Sequence, residues 1–222
     1  MEASFWEARW RKNQIGFHSS EINPMLIAYL YTLNLRHGDT VLVPMCGKSL
    51  DMLYLCNQGF RVIGVELSEL AARAFFAENN IAVTESSSGQ FLQFESEGIT
   101  IFCGDIFHLR SHHIADAVAS YDRAALVALP PEMRRRYADH VSHILPASFN
   151  TLLITFEYPQ HEMPGPPFSV KETEVRELFN DWGSVELLHT ADILPENARF
   201  QERGMTVLLE KVFLLQKSLS QP

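Results

Sequence analysis

Val41-Leu-Val-Pro-Met-Cys-Gly-Lys-Ser-Leu-Asp-Met52 and, farther along, Val62-Ile-Gly-Val-Glu-Leu-Ser68 decide the fold of this chain. They read as a buried strand, a tight turn, a helix, and a second buried strand that ends on a carboxylate. That is the front half of a nucleotide-binding α/β unit. Glu66 stands about twenty residues beyond the first turn, the separation at which an acidic side chain meets ribose hydroxyls. Gly47-Lys48-Ser49 matches the end of a phosphate-cradling P-loop, but Leu42 stands where that loop requires its first glycine. The dinucleotide fingerprint fails too, because Pro44, Met45 and Cys46 occupy positions that must be small to admit a pyrophosphate. The turn therefore suits a nucleoside without a phosphate chain. Taken alone it also fits an ordinary βα turn in which Gly47 only meets backbone geometry.

A chain of 222 residues, 46% apolar and 20% charged, is sized for one globular α/β domain. Its net charge of -9 argues against a general affinity for nucleic acid or anionic membrane and leaves room for a local basic pocket. No apolar run reaches ~20 residues, so no membrane span is expected. The opening Met-Glu-Ala-Ser-Phe-Trp-Glu-Ala-Arg-Trp is neither a signal nor a transit peptide, which leaves a cytoplasmic location as the expectation. Cys46, Cys56 and Cys103 have no C-x-x-C spacing and read as reduced thiols; Cys56 and Cys103 read as small core residues, and Cys46 as a compact turn residue in preference to a nucleophile. His112-His113, near His108, lack the spacing of convergent ligands, so no metal is expected.

Helices are expected over residues 3–13, 23–33, 50–57, 69–79, 131–144 and 171–179, and strands over 40–43, 62–65, 99–103, 115–121, 151–157, 184–190 and 205–215. Residues 84–98 read as a loop or a small hairpin, and the proline-rich 158–168 as an ordered loop. Arg134-Arg135-Arg136 reads as a solvated helix face. Nothing resembles a linker or repeat, and residues 1–222 are expected to form one domain.

Ligands of an open parallel sheet bind beyond the carboxyl ends of its strands. Those ends carry Pro44 to Gly47, Glu66 to Ser68, Asp105-Ile106, Asp122-Arg123 and Glu157-Tyr158. Glu66 can accept from both ribose hydroxyls, Asp105 from an adenine amino group, and Ile106 can pack on the ring. Singly, each is as well explained as a strand-end cap; together they point to an adenosyl ligand.

The turn Val43-Pro-Met-Cys-Gly-Lys-Ser49, Val65-Glu66-Leu67-Ser68, Gly104-Asp105-Ile106-Phe107 and Tyr121-Asp122-Arg123-Ala124-Ala125-Leu126 resemble the thiopurine S-methyltransferases of bacterial type. So do Phe5-Trp6-Glu-Ala-Arg9-Trp10, Gly16-Phe17-His18, Gly165-Pro-Pro-Phe168 and Gln201-Glu202-Arg203. Met45 stands where leucine is commoner in that family, a volume-conserving change. The resemblance implies a class I S-adenosylmethionine (SAM)-dependent methyltransferase fold. That fold is Rossmann-like α/β, a seven-stranded, mostly parallel sheet with its last strand antiparallel and helices on both faces. Residues 1–35 would form a helical segment over the cofactor. By carry-over, Trp10, Met45, Gly47, Glu66, Ser68, Asp105, Ile106 and Arg123 would hold SAM.

Transfer of the methyl group to a thiol is favoured by cations that stabilise the thiolate, and Arg123 and Arg203 are the candidates. Phe17, Phe168 and Phe200 could sandwich a flat heteroaromatic acceptor, with Tyr158 at the rim and His18 as a general base. The implied partner is a small-molecule thiol or selenol, handled by a monomer. Two alternatives stay open: methylation of selenium, tellurium or halide acceptors, as in metalloid resistance, and a SAM sensor without catalysis. A nucleic-acid methyltransferase is disfavoured, because Asp122-Arg123-Ala124-Ala125 is not a base-handling motif of the Asn-Pro-Pro-Tyr type.

Overall fold

The computed structural model describes residues 3–218; Met1, Glu2 and the last four residues read above lie outside the described residues. The chain divides into two compact units, residues 1–121 and 122–222. The first opens with α1 (Ala3–Arg11) and α2 (Pro24–Tyr29), the latter continuing as a 3₁₀ turn to Leu33. Then follow β1 (Thr40–Pro44), α3 (Asp51–Asn57), β2 (Arg61–Glu66), α4 (Glu69–Glu78), β3 (Thr84–Ser88), β4 (Phe91–Glu95), β5 (Ile99–Cys103) and β6 (Ala117–Asp122). The strands lie in the order β3-β4-β5-β2-β1-β6. β5, β2, β1 and β6 run parallel, whereas β3 and β4 form an antiparallel hairpin on the β5 side.

The second unit holds α5 (Ala125–Ala128), α6 (Pro131–Ile144), β7 (Phe149–Glu157), α7 (Glu172–Leu178), β8 (Ser184–Asp192), α8 (Ala198–Gln201) and β9 (Leu209–Lys217). Here β9 lies between β7 and β8, antiparallel to both, as expected of the closing strand. The described residues contain nine strands where seven were expected. The two additional strands are the β3–β4 hairpin, which settles the open reading of residues 84–98. Thr84-Glu-Ser-Ser-Ser88 is almost wholly exposed, so no apolar alternation marked it as a strand.

The parallel strands are buried on both faces: every residue of β1 is buried, as a strand covered by helices requires. Local chemistry starts the helices. Asn23 Oδ1 accepts from the N–H groups of Met25 and Leu26 with Pro24 in the first turn, and Ser68 Oγ accepts from Ala71 N–H at the start of α4. Asp51 joins three elements of this unit. One carboxylate oxygen accepts from Asn23 N–H at 2.8 Å and the other from the Tyr121 hydroxyl at 2.9 Å. All three groups are buried.

The arginine run departs from expectation. Arg135 and Arg136 face solvent, but Arg134 is 1% exposed. Its position falls on the helical stripe of Tyr137, Ala138, Val141 and Ile144, so the spacing of α6 turns it inward in spite of its charge.

Removing the Asp51 carboxylate would strand two buried donors. Asp51→Ala is expected to lower unfolding free energy by about 3 kcal/mol, against about 1 kcal/mol for Tyr121→Phe. Both would appear as shifts of the urea midpoint, and an Asp51→Ala protein as stable as the parent would contradict this role.

Candidate active site

The turn after β1 is shaped by backbone before any side chain acts. Met45 and Gly47 both lie in the left-handed region, at φ 48° and 54°. Between them Cys46 N–H donates to the Val65 carbonyl of β2 at 3.0 Å, folding the turn back on its neighbour strand. Gly64 makes room for this: a Cβ there would come within 2.8 Å of Cys46 Sγ. Cys46 is buried, and burial together with the Glu66 carboxylate pushes its thiol well above the ordinary range. Burial likewise raises Cys103, to about 12. Both shifts favour the protonated thiol, which packs as a small apolar side chain.

Glu66 ends β2 at 6% exposure, and each of its carboxylate oxygens is held by a backbone donor. Oε2 accepts from Gly47 N–H and Oε1 from Ser68 N–H, both at 2.8 Å. One carboxylate therefore ties the turn after β1 to the turn after β2. Burial raises its pKa, with the hydrogen bonds from Ser68, Gly47 and Leu67 opposing. Each oxygen retains a further lone pair, so the fixed group has the capacity to accept from two neighbouring hydroxyls. Trp10, 8% exposed, lies over the same turn: a Cβ on Gly47 would sit 3.3 Å from its indole. Phe17 packs edge-on against Trp10 and Trp6, at 5.5 and 5.6 Å between ring centroids, and remains 43% exposed.

At the end of β5, Asp105 Oδ1 caps a short 3₁₀ turn by accepting from Phe107 N–H at 3.0 Å, and Ile106 is buried. Oδ1 thus serves as the strand-end cap that the sequence also allowed. Trp10, Met45, Gly47, Glu66, Ser68, Asp105 and Ile106 all belong to the first unit. A pinned diol acceptor, a bared turn and an indole over it fit a nucleoside carrying a short aliphatic chain.

The second unit carries the other candidates. Asp122 is buried and accepts from the Tyr137 hydroxyl at 2.7 Å and from Ala125 N–H at 2.9 Å. Its carboxylate is thus spent on α5 and α6, and the charge of Arg123 acts on Glu210 of β9. The loop 158–168 is ordered by side chains. Tyr158, expected at the rim, is buried, and its hydroxyl donates to the Pro167 carbonyl at 2.6 Å. Gln160 joins it by donating to the Met163 carbonyl at 2.7 Å and accepting from Ser169 N–H at 3.0 Å. Phe168 is half-buried, with its N–H on the Val127 carbonyl at 2.7 Å. Arg203 is exposed, and its Nη1 lies 3.3 Å from the Met163 sulfur. Among the described residues no group of three or more His, Cys, Asp and Glu is arranged to hold a metal ion.

A family model described as thiopurine S-methyltransferase matches residues 1–218, through both units. The chain belongs to the thiopurine S-methyltransferase family. Thiopurine S-methyltransferase of Pseudomonas paraeruginosa is 51% identical over 98% of this chain and all of its own length. That of Nitrosospira multiformis is 49% identical over 97% of this chain and 98% of its own. Among solved structures, a SAM-dependent methyltransferase from Anabaena variabilis superposes with a TM-score of 0.62 at 14% identity, covering 97% of this chain and 94% of that one. One from Methanosarcina mazei gives 0.60 at 18% identity, over 90% and 100%. The fold is that of the class I SAM-dependent methyltransferases.

Within this thiopurine methyltransferase architecture, sequence reasoning overlooked the buried polar groups: Asp51, Arg134, Tyr137 and Glu210. Arg134 and Tyr137 carried a signal in their helical stripe. Asp51 and Glu210 carried none, because a lone carboxylate in a sequence looks solvated.

Burial raises Asp122 from the usual 3.8 to about 6, so the folded chain takes up this proton before the unfolded one as pH falls. Its buried charge costs stability above pH 6, and that cost is relieved between about pH 6 and pH 4. The stability of the parent relative to Asp122→Asn should therefore rise by up to about 3 kcal/mol from pH 7 to pH 4. Urea titrations at several pH values measure this, and a difference independent of pH would refute it.

Proposed function

We propose that this protein transfers a methyl group from S-adenosylmethionine to the sulfur of a small aromatic or heterocyclic thiol. The observation that carries the reading is the Glu66 carboxylate, pinned at both oxygens beside a left-handed turn under Trp10. Membership of the thiopurine S-methyltransferase family supports the thiol as acceptor. When bound, S-adenosylmethionine supplies a methyl carbon made electrophilic by a sulfonium. Glu66 would hold the ribose hydroxyls, Asp105 and Ile106 the adenine, and the backbone at Met45 and Gly47 the aliphatic chain. Ser68 serves through Glu66. Trp10 would exclude water and present its face to the cationic end.

Arg123 and Arg203 of the second unit would favour the acceptor as thiolate through their positive charge. Phe17 and Phe168 offer flat faces, and Tyr158 orders the loop that carries Phe168. His18 would take the proton of an acceptor that is not already ionised. The acidic net charge supports a small-molecule acceptor over nucleic acid. No helix among the described residues is long and apolar enough to cross a membrane. We take the protein to act as a cytoplasmic monomer.

Mass spectrometry of a reaction containing SAM and 6-mercaptopurine, with selenite and dimethylselenide as competitors, is expected to show S-methylated purine and S-adenosylhomocysteine. Transfer only to selenium would remove the aromatic thiol as acceptor. Arg203→Ala should lower kcat/KM for the thiol about tenfold, or 1.4 kcal/mol, with SAM affinity unchanged. The loss should shrink as pH passes the thiol's own pKa, where no help with ionisation is needed. Wild-type kinetics at every pH would sink the assignment of Arg203.

A further inference from the structure

The side chain of Arg134 meets three structures at once, and all are in the second unit. Nε donates to the carbonyls of Leu126 and Leu129, at 3.1 and 2.9 Å, satisfying acceptors that the end of α5 leaves open. Nη1 reaches both oxygens of Glu174 in α7, at 2.8 and 2.7 Å. The guanidinium carbon lies 6.0 Å from the centroid of the Phe168 ring. Nη2 is buried and has no hydrogen-bond partner.

A buried cation with one donor unpaired is an expensive way to join helices, since apolar side chains of similar volume do it as well or better. The arrangement makes sense if the guanidinium also serves the ring beside it, whose π face is the attraction left to an otherwise orphaned N–H group. Phe168 is referred to this platform twice. Its backbone N–H is bonded to Val127 of α5, inside the pair of carbonyls that Arg134 holds, and its ring lies beside the guanidinium. The rest of the loop is closed by Tyr158, Gln160 and Ser169, so the ring has little other freedom to lose.

We propose that Arg134 is a positioning residue for acceptor recognition: anchored on α5 and α7, it sets the plane that Phe168 presents to a flat heteroaromatic thiol. This rests on the reading of Phe168 as an acceptor contact. Of the SAM candidates, Trp10 to Ile106 belong to the other unit and Arg123 shares this one, so SAM affinity is measured beside the kinetics.

The test compares the parent, Arg134→Lys, Phe168→Leu and the double variant by steady-state kinetics with 6-mercaptopurine, alongside calorimetry with SAM. Arg134→Lys keeps the charge but loses the planar fork that spans α5 and Glu174. It should raise KM for 6-mercaptopurine about tenfold, leave kcat within about threefold, and leave SAM affinity unchanged. In the Phe168→Leu background the same substitution should have no further effect on KM, the coupling expected of two groups acting as one. KM effects that multiply independently, or a lower melting temperature with KM unchanged, would overturn the proposal and leave Arg134 a structural residue. Should Arg134→Lys fail to fold, Glu174→Gln decides. It leaves the arginine in place and weakens its anchor, and is expected to raise KM about threefold, again only when Phe168 is present. A parent enzyme that does not methylate 6-mercaptopurine would overturn the reading of the acceptor itself, and Arg134's role with it. A parent active on it with uncoupled variants overturns this inference alone.

Discussion

The carboxylate of Glu66 is the constraint on which the first unit of this protein depends. Its two oxygens are each taken by a backbone N–H, one from the turn after β1 and one from the turn after β2. A charged acceptor held by two fixed donors cannot swing to solvent, and its remaining lone pairs are aimed before a ligand arrives. Preorganisation of this kind removes the ordering cost that a flexible carboxylate would meet on binding. Burial makes the group expensive as a charge, and the backbone hydrogen bonds offset part of that cost.

Several features of the first unit are consequences of that arrangement. The turn can present Gly47 N–H to Glu66 only because Met45 and Gly47 adopt left-handed conformations. Cys46 can fold against β2 only because Gly64 has no side chain to obstruct it. Asp51 then fixes the start of α3 to Asn23 and Tyr121, so the helix leaving the turn is held at its first residue. Trp10 closes over the result. The second unit applies the same strategy to a different problem: buried polar side chains, Asp122, Tyr137 and Arg134, hold α5, α6 and the loop bearing Phe168.

Much of this was legible in the sequence, for identifiable reasons. Two apolar, β-branched runs of strand length around a glycine turn, with an acid at the end of the second, point to β1, β2 and Glu66. Run length, flanking glycine and β-branching carry that reading, because periodicity alone does not part a short buried strand from a buried helix. The family motifs extended that reading along the whole chain. The hairpin at β3–β4 escaped definition because its first strand buries nothing. Arg134 escaped because charge suggests solvent, although its place in the stripe of α6 marked it as inward. Tyr158 was read as a rim residue because a phenol beside a proline-rich loop looks exposed. In the structure that phenol is the loop's internal brace. Arg203 was found by motif alone, and the structure adds only its exposure and its approach to Met163.

Titration calorimetry of SAM against the parent, Glu66→Gln and Glu66→Ala, between pH 5 and pH 8, tests the central claim most directly. Losing an ionised acceptor for two hydroxyls should weaken binding by about 3 kcal/mol, more than a hundredfold. The parent's own affinity should fall as pH drops toward the raised pKa of Glu66, a dependence absent from both variants. Folded variants that bind SAM as tightly as the parent at every pH would contradict the account.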